Sequence, residues 1–113
     1  MIYTSSIREV KQQISKVNLP VEALERLDEL FVQWRNINDE YDSICEKCVK
    51  LRSQRTVYPD SSSHVNEQIA IQQMNEQRRK TLKYLDYRAN MCKDNGARTI
   101  LDMEYVIKLC KLS

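Results

Sequence analysis

Glycine occurs once and proline twice in these 113 residues. Tight turns draw heavily on those two residue types, so their scarcity excludes a strand-rich fold and favours long helices. Neither sign of charge dominates: 18 Lys and Arg stand against 16 Asp and Glu, a formal charge of +2. That balance gives no strong field toward nucleic acid and does not forbid it. No stretch approaches the run of about 18 apolar residues that a bilayer span needs. Met1 to Glu9 also lack the basic start and apolar run of a secretory signal. An intracellular protein without a membrane partner is expected, with its four cysteines as reduced, mostly buried thiols.

The materials of catalysis are scarce too. A chain with one glycine can hardly build a phosphate-cradling loop. His64, the only histidine, sits at a serine-rich helix start, where solvation explains it. Asp39, Glu40 and Asp42 read as a charged helix face rather than an acid–base pair. Cys45-Glu46-Lys47-Cys48 is a C-x-x-C, but zinc needs two further ligands, and Cys92 and Cys110 are far apart in the sequence. A C-x-x-C inside a long helix also lacks the strand context of a redox motif. The cysteines are therefore assigned to the core. No enzyme, cofactor or metal is expected.

What the chain does carry is an apolar seam at alternating spacings of four and three: Ala23, Leu27, Leu30, Trp34, Ile37, Tyr41, Ile44, Cys48 and Leu51. That is the a/d stripe of a coiled-coil-type helix, and such a helix must bury its stripe against others. Ser6 with Glu9 reads as a capping box opening a first helix, whose stripe is Ile7, Val10, Ile14 and Val17. Pro20 suits the first turn of the second helix. Pro59, Asp60 and Ser61 to Ser63 form a loop and supply caps for the third. Asn95-Gly96 reads as a helix end, and Thr99 with Asp102 as the cap of a fourth helix carrying Ile100, Met103, Ile107 and Cys110.

The expected architecture is all-α: an elongated helical bundle in one domain, 1–113, built on a long antiparallel hairpin with two short flanking helices. The helices are placed at about 6–17, 20–55, 64–93 and 99–112. A hairpin centred near Asp60 sets Arg78, Arg79, Lys80 and Lys83 beside Asp39, Glu40 and Asp42. It also sets Glu67 near Lys50, Arg52 and Arg55, and Cys48 well away from Cys92. The first and fourth helices cover only the end far from the loop, where Leu24 and Phe31 widen the stripe. Toward the loop, Ile44, Cys48, Val49 and Leu51 face Ile69, Ile71 and Met74. Two helices alone shield that surface poorly.

Ile44, Cys48, Leu51, Ile69, Ile71 and Met74 are therefore the candidate anchors for a partner protein, in a homodimer or a hetero-complex, through knobs-into-holes packing. The alternative is a nucleic-acid-binding or replication-complex subunit. In it, Arg78, Arg79, Lys80 and Lys83 grip phosphates beside Tyr84 and Tyr87.

Asn18-Leu19-Pro20, followed by Glu22, Arg26, Leu27 and Asp28 on a long helix, resembles the opening of the N-terminal domain of inhibitor-of-growth proteins. Cys92-Lys93-Asp94-Asn95-Gly96 is similar to that family's link between its last two helical segments. The resemblance implies a dimerising, complex-docking helical module connected with chromatin. It does not extend to histone-tail reading, because no zinc-binding PHD finger accompanies it. Arg78-Arg79, Thr81, Tyr84-Leu85 and Arg88 also resemble a helix of a subunit of the GINS replication complex. Both resemblances imply a non-catalytic subunit, nuclear rather than cytoplasmic.

Overall fold

Residues 2–54 and 64–112 are described in the computed structural model. They form three helices: α1 (Thr4–Lys16), α2 (Val21–Ser53) and α3 (Val65–Leu112). The fold is all-α and elongated, a rod of 76 × 16 × 16 Å. Among the described residues, no helix is long and apolar enough to cross a membrane.

The α2 seam forms as its spacing requires. Ala23, Leu27, Leu30, Trp34, Ile44 and Cys48 are buried, with Ile37, Tyr41 and Leu51 half-buried. Helix α3 runs back along it. Helix α1 covers one end, where Ile7 and Val10 meet Leu27, Leu30, Trp34, Ile100, Met103 and Ile107 in a three-helix core. Beyond it, a thinner two-helix core holds Ile44, Cys48, Leu85 and Cys92. The lopsided core is as expected, although Leu24 is exposed and only Phe31 widens the stripe.

Two helix starts differ from the sequence reading. Helix α1 is capped by Tyr3 in the left-handed region (φ 57°), and its carbonyl accepts the Ile7 amide at 3.0 Å. Ser6 therefore lies inside the helix rather than capping it. Pro20 precedes α2 with extended backbone (ψ 159°) and acts as its N-cap.

The larger correction is that the described residues hold no separate fourth helix. Helix α3 continues through Asn95-Gly96 to Leu112. Gly96 has no positive φ, so it does not make the left-handed turn of a helix end. It is buried, and a Cβ there would come 3.2 Å from Ile2 Cδ1 and 3.3 Å from the Tyr3 ring. Its lack of a side chain thus lets the start of the chain pack against α3. Thr99, expected as a cap, is buried; its hydroxyl donates to the Asn95 carbonyl at 2.9 Å and accepts from Gln33 Nε2 at 3.3 Å.

The hairpin register also differs. Gln33 faces Thr99, Arg88 pairs with Glu40, and Arg52 Nη2 meets Asp86 Oδ1 at 2.8 Å. Relative to a hairpin symmetric about Asp60, α3 is slid by roughly three turns, or about 18 Å. Arg78 does not sit by Asp39–Asp42: its Nη1 donates to the Gln54 carbonyl at 2.7 Å, at the very end of α2. Glu67 is correspondingly removed from Arg52, and Cys92 joins Cys48 in one cluster.

Energetics explain the slide. An exposed ion pair contributes about 0–1 kcal/mol, whereas burying one large aliphatic side chain contributes about 1.5–3 kcal/mol. Leu85, Ile100, Met103 and Ile107 all reach the core in this register. What stays outside is 65–77, rich in Asn66, Gln68, Gln72, Gln73, Asn75 and Gln77. The matched seam wins over the matched charges.

Gly96→Ala decides between the two roles of the glycine. In mid-helix, alanine gains roughly 0.5–1 kcal/mol of helix propensity, and only the movable ends of Ile2 and Tyr3 need to shift. The expected outcome is a higher urea midpoint with an unchanged m-value. At a left-handed helix end, the same change would lower it.

Candidate functional site

The six expected anchors divide into two groups. Ile44 (4% exposed) and Cys48 (5%) are buried, and Leu51 is half-buried against them, all within the two-helix core beside Leu85, Ala89 and Cys92. The α2 seam is thus covered by its own molecule, which overturns its expected role as a docking stripe. Ile69 (46%) and Met74 (56%) are exposed and Ile71 is half-buried, all on the part of α3 that projects past Gln54. The slid register separates the groups: Ile44 faces Leu85, not Met74.

This projecting part, 65–77, spans roughly 20 Å at 1.5 Å per residue. Val65, Ile69 and Met74 are large apolar side chains open to solvent, interleaved with amides. Arg78 marks its base, half-buried and bonded to the end of α2. Of the rest of the basic cluster, Lys80 pairs with Glu76 at 3.6 Å, while Arg79 and Lys83 are exposed. The acidic neighbours expected for this cluster lie further along the rod, where Glu40 is bonded to Arg88.

The cysteines are closer together than expected. Cys48 and Cys92 share the two-helix core, Cys45 is half-buried, and all four are free thiols. Among the described residues, no group of three or more His, Cys, Asp or Glu side chains could hold a metal ion. Burial pushes the Cys48 thiol up, and the Asp86 carboxylate, 3.9 Å from its sulfur, adds to this. Burial likewise raises Cys92, with Glu40 adding to it. Tyr41 is raised first by its hydrogen bond with Cys45 and then by burial. These shifts make the thiols and the phenol less nucleophilic at neutral pH, which is how packed side chains behave.

Two features escape a reading of the sequence. Asn38 is a polar residue beside the seam, directly after Ile37, yet is 1% exposed; its Oδ1 accepts the Ile2 amide at 2.9 Å, which ties the start of the chain to mid-rod. A row of exposed apolar residues also runs along the outer side of α3, including Tyr87, Leu101 and Tyr105. Its 3–4 spacing was visible in the letters, but dividing the helix at Gly96 cuts the row in two.

Compared with known proteins, the chain matches no family model, no curated protein and no solved structure.

The two anchor groups should respond differently to one kind of substitution. Ile44→Asp buries an unpaired carboxylate and is expected to remove at least about 3 kcal/mol or abolish folding. Ile69→Asp should stay within about 0.5 kcal/mol in urea denaturation. A pH dependence follows from the thiols. Cys48 and Cys92 have folded pKa values above those of the unfolded chain, so their contribution is full below roughly pH 8.5 and falls as pH rises through the raised values. The urea midpoint should therefore drop between about pH 7.5 and about pH 9.5, and drop less in Cys48→Ala with Cys92→Ala.

Proposed function

We propose that the chain is a non-catalytic helical assembly module, a small subunit or self-associating scaffold of a multiprotein complex. The carrying observation is the apolar overhang of α3: Ile69 and Met74 are exposed on turns that project beyond α2. An amphipathic helix of this kind binds by laying i, i+3 and i+4 side chains into a groove or between partner helices. Val65 with Ile69 (i, i+4) and Ile71 with Met74 (i, i+3) supply such pairs on two different sides of the overhang, and the exposed Ile69 and Met74 are the anchors, with Ile71 partly covered. The surrounding Gln and Asn side chains form a polar rim that sets orientation more than affinity. The shifted ionisable groups support a non-catalytic reading, since each is held in the seam between α2 and α3 or by an ion pair across it. The resemblance of residues 18–28 to the opening of inhibitor-of-growth domains favours a nuclear complex.

One observation favours a second reading. The register leaves Arg79 and Lys83 clear of the acidic stretch Asp39–Asp42, beside exposed Tyr84 and Tyr87. In a nucleic-acid-binding subunit these cations would neutralise phosphates and the tyrosine rings would stack on bases.

A paired experiment separates the two. Immobilised wild type and the Ile69→Asp/Met74→Asp variant, checked for equal helicity by circular dichroism, are offered the same cell extract. The assembly reading expects a stoichiometric protein retained by wild type and lost by the variant. Equal retention by both sinks it. Binding to a labelled single strand that falls steeply with salt, and is flattened by Arg79→Ala/Lys83→Ala, would establish the second reading instead.

A further inference from the structure

Helix α3 has two seams. The inner one faces α2 and α1 through Leu85, Cys92, Gly96, Thr99 and Met103, all buried. Two residues after each of these stands a residue rotated by about 200°. Those residues are Tyr87, Asp94, Arg98, Leu101 and Tyr105, on the opposite side of the helix. All five are exposed, with Tyr87, Leu101 and Tyr105 each more than 60% open to solvent. With Tyr84 and Met91 they continue an alternation of threes and fours, which is the pattern of a helix packed along its length on another. Helix α2 also lies on the surface, but its exposed apolar residues, Val21, Leu24, Val32 and Val49, are scattered and form no such row.

The order of residues in the outer row is symmetric about Gly96. Asp94 and Arg98 stand at equal distances on either side of it. So do Met91 and Leu101, Tyr87 and Tyr105, and Tyr84 and Lys108. We propose that this outer face of α3 is a self-association surface, on which a second copy of the chain docks antiparallel about a two-fold axis level with Gly96. An antiparallel two-fold pair sets each member of those couples against the other member in the partner. Met91 then packs on Leu101, and Tyr87 on Tyr105. The Lys108 ammonium lies toward the Tyr84 ring.

At the centre, Asp94 of each copy meets Arg98 of the other, in two equivalent ion pairs. Among the described residues, neither Asp94 nor Arg98 forms an ion pair within the chain. A parallel pair would instead stack Asp94 on Asp94 and Arg98 on Arg98. The charges thus choose orientation and register, the role best attested for polar groups in a helical seam. Such a dimer holds the two 65–77 overhangs at opposite ends, roughly 75 Å apart at 1.5 Å per residue. It would grip a partner at two points rather than one.

This extends the assembly reading but uses a different surface, so either can fail alone. Sedimentation equilibrium of the full chain over a concentration series should show a monomer–dimer equilibrium. Leu101→Glu/Tyr105→Glu, with helicity retained, should weaken dimerisation by about 100-fold or more. Asp94→Arg alone should weaken it by about tenfold, and Asp94→Arg with Arg98→Asp should restore it to within about threefold of wild type. Ile69→Asp/Met74→Asp should dimerise as wild type does. A wild type that stays monomeric at about 0.5 mM, well above any useful Kd, overturns the proposal. A dimer that survives Leu101→Glu/Tyr105→Glu, or a double charge swap that restores nothing, does so too.

Discussion

The alignment of α2 along α3 is the constraint from which the rest of the molecule follows. Two long amphipathic rods can slide past one another in heptad steps, and each step brings a different set of apolar side chains into contact. The chain settles where Leu27, Leu30 and Trp34 meet Ile100, Met103 and Ile107, and Ile44 and Cys48 meet Leu85 and Cys92. That choice places Thr99 opposite Gln33 and Asp86 opposite Arg52. It also leaves the first turns of α3 past the end of α2, because a helix of 48 residues cannot be covered by one of 33.

Gly96 shows how much one small residue can organise. At mid-rod the backbone of α3 comes close to Ile2 and Tyr3, and a residue without a Cβ fits there with no shift of either side chain. The Ile2 amide then reaches Asn38 on α2, so the beginning of the chain is stitched to both long helices at one level. From there α1 runs alongside the α3 segment that carries Ile100, Met103 and Ile107, and closes the three-helix core. Because α3 is unbroken at this point, both of its sides keep a constant phase from Tyr84 to Lys108.

The sequence made the helical class and the whole of α2 legible, since four turns or more of strict 3–4 spacing have no other physical reading. The lopsided core was legible for the same reason: α1 is too short to follow the hairpin along its length. Helix pairing was not. Acidic and basic residues recur along both helices, so several registers offer reasonable charge pairs, and only the summed apolar fit distinguishes them. Gly96 misled because a helix end and a close helix contact ask for the same residue, and Asn95 before it strengthens the wrong choice. Of the candidate site, Ile69 and Met74 stand where a partner can reach them. Ile44 and Cys48 do not, and the displacement of the register is the whole of the difference.

The single tryptophan, Trp34, sits in the three-helix end, and its indole N–H finds no acceptor among the described residues. Its fluorescence therefore watches one half of the rod and is blind to the half built from Ile44, Cys48, Leu85 and Cys92. Far-ultraviolet dichroism watches both. In a thin rod whose halves share the continuous helices α2 and α3, the interval between those two optical transitions measures how strongly one end's melting drags the other with it.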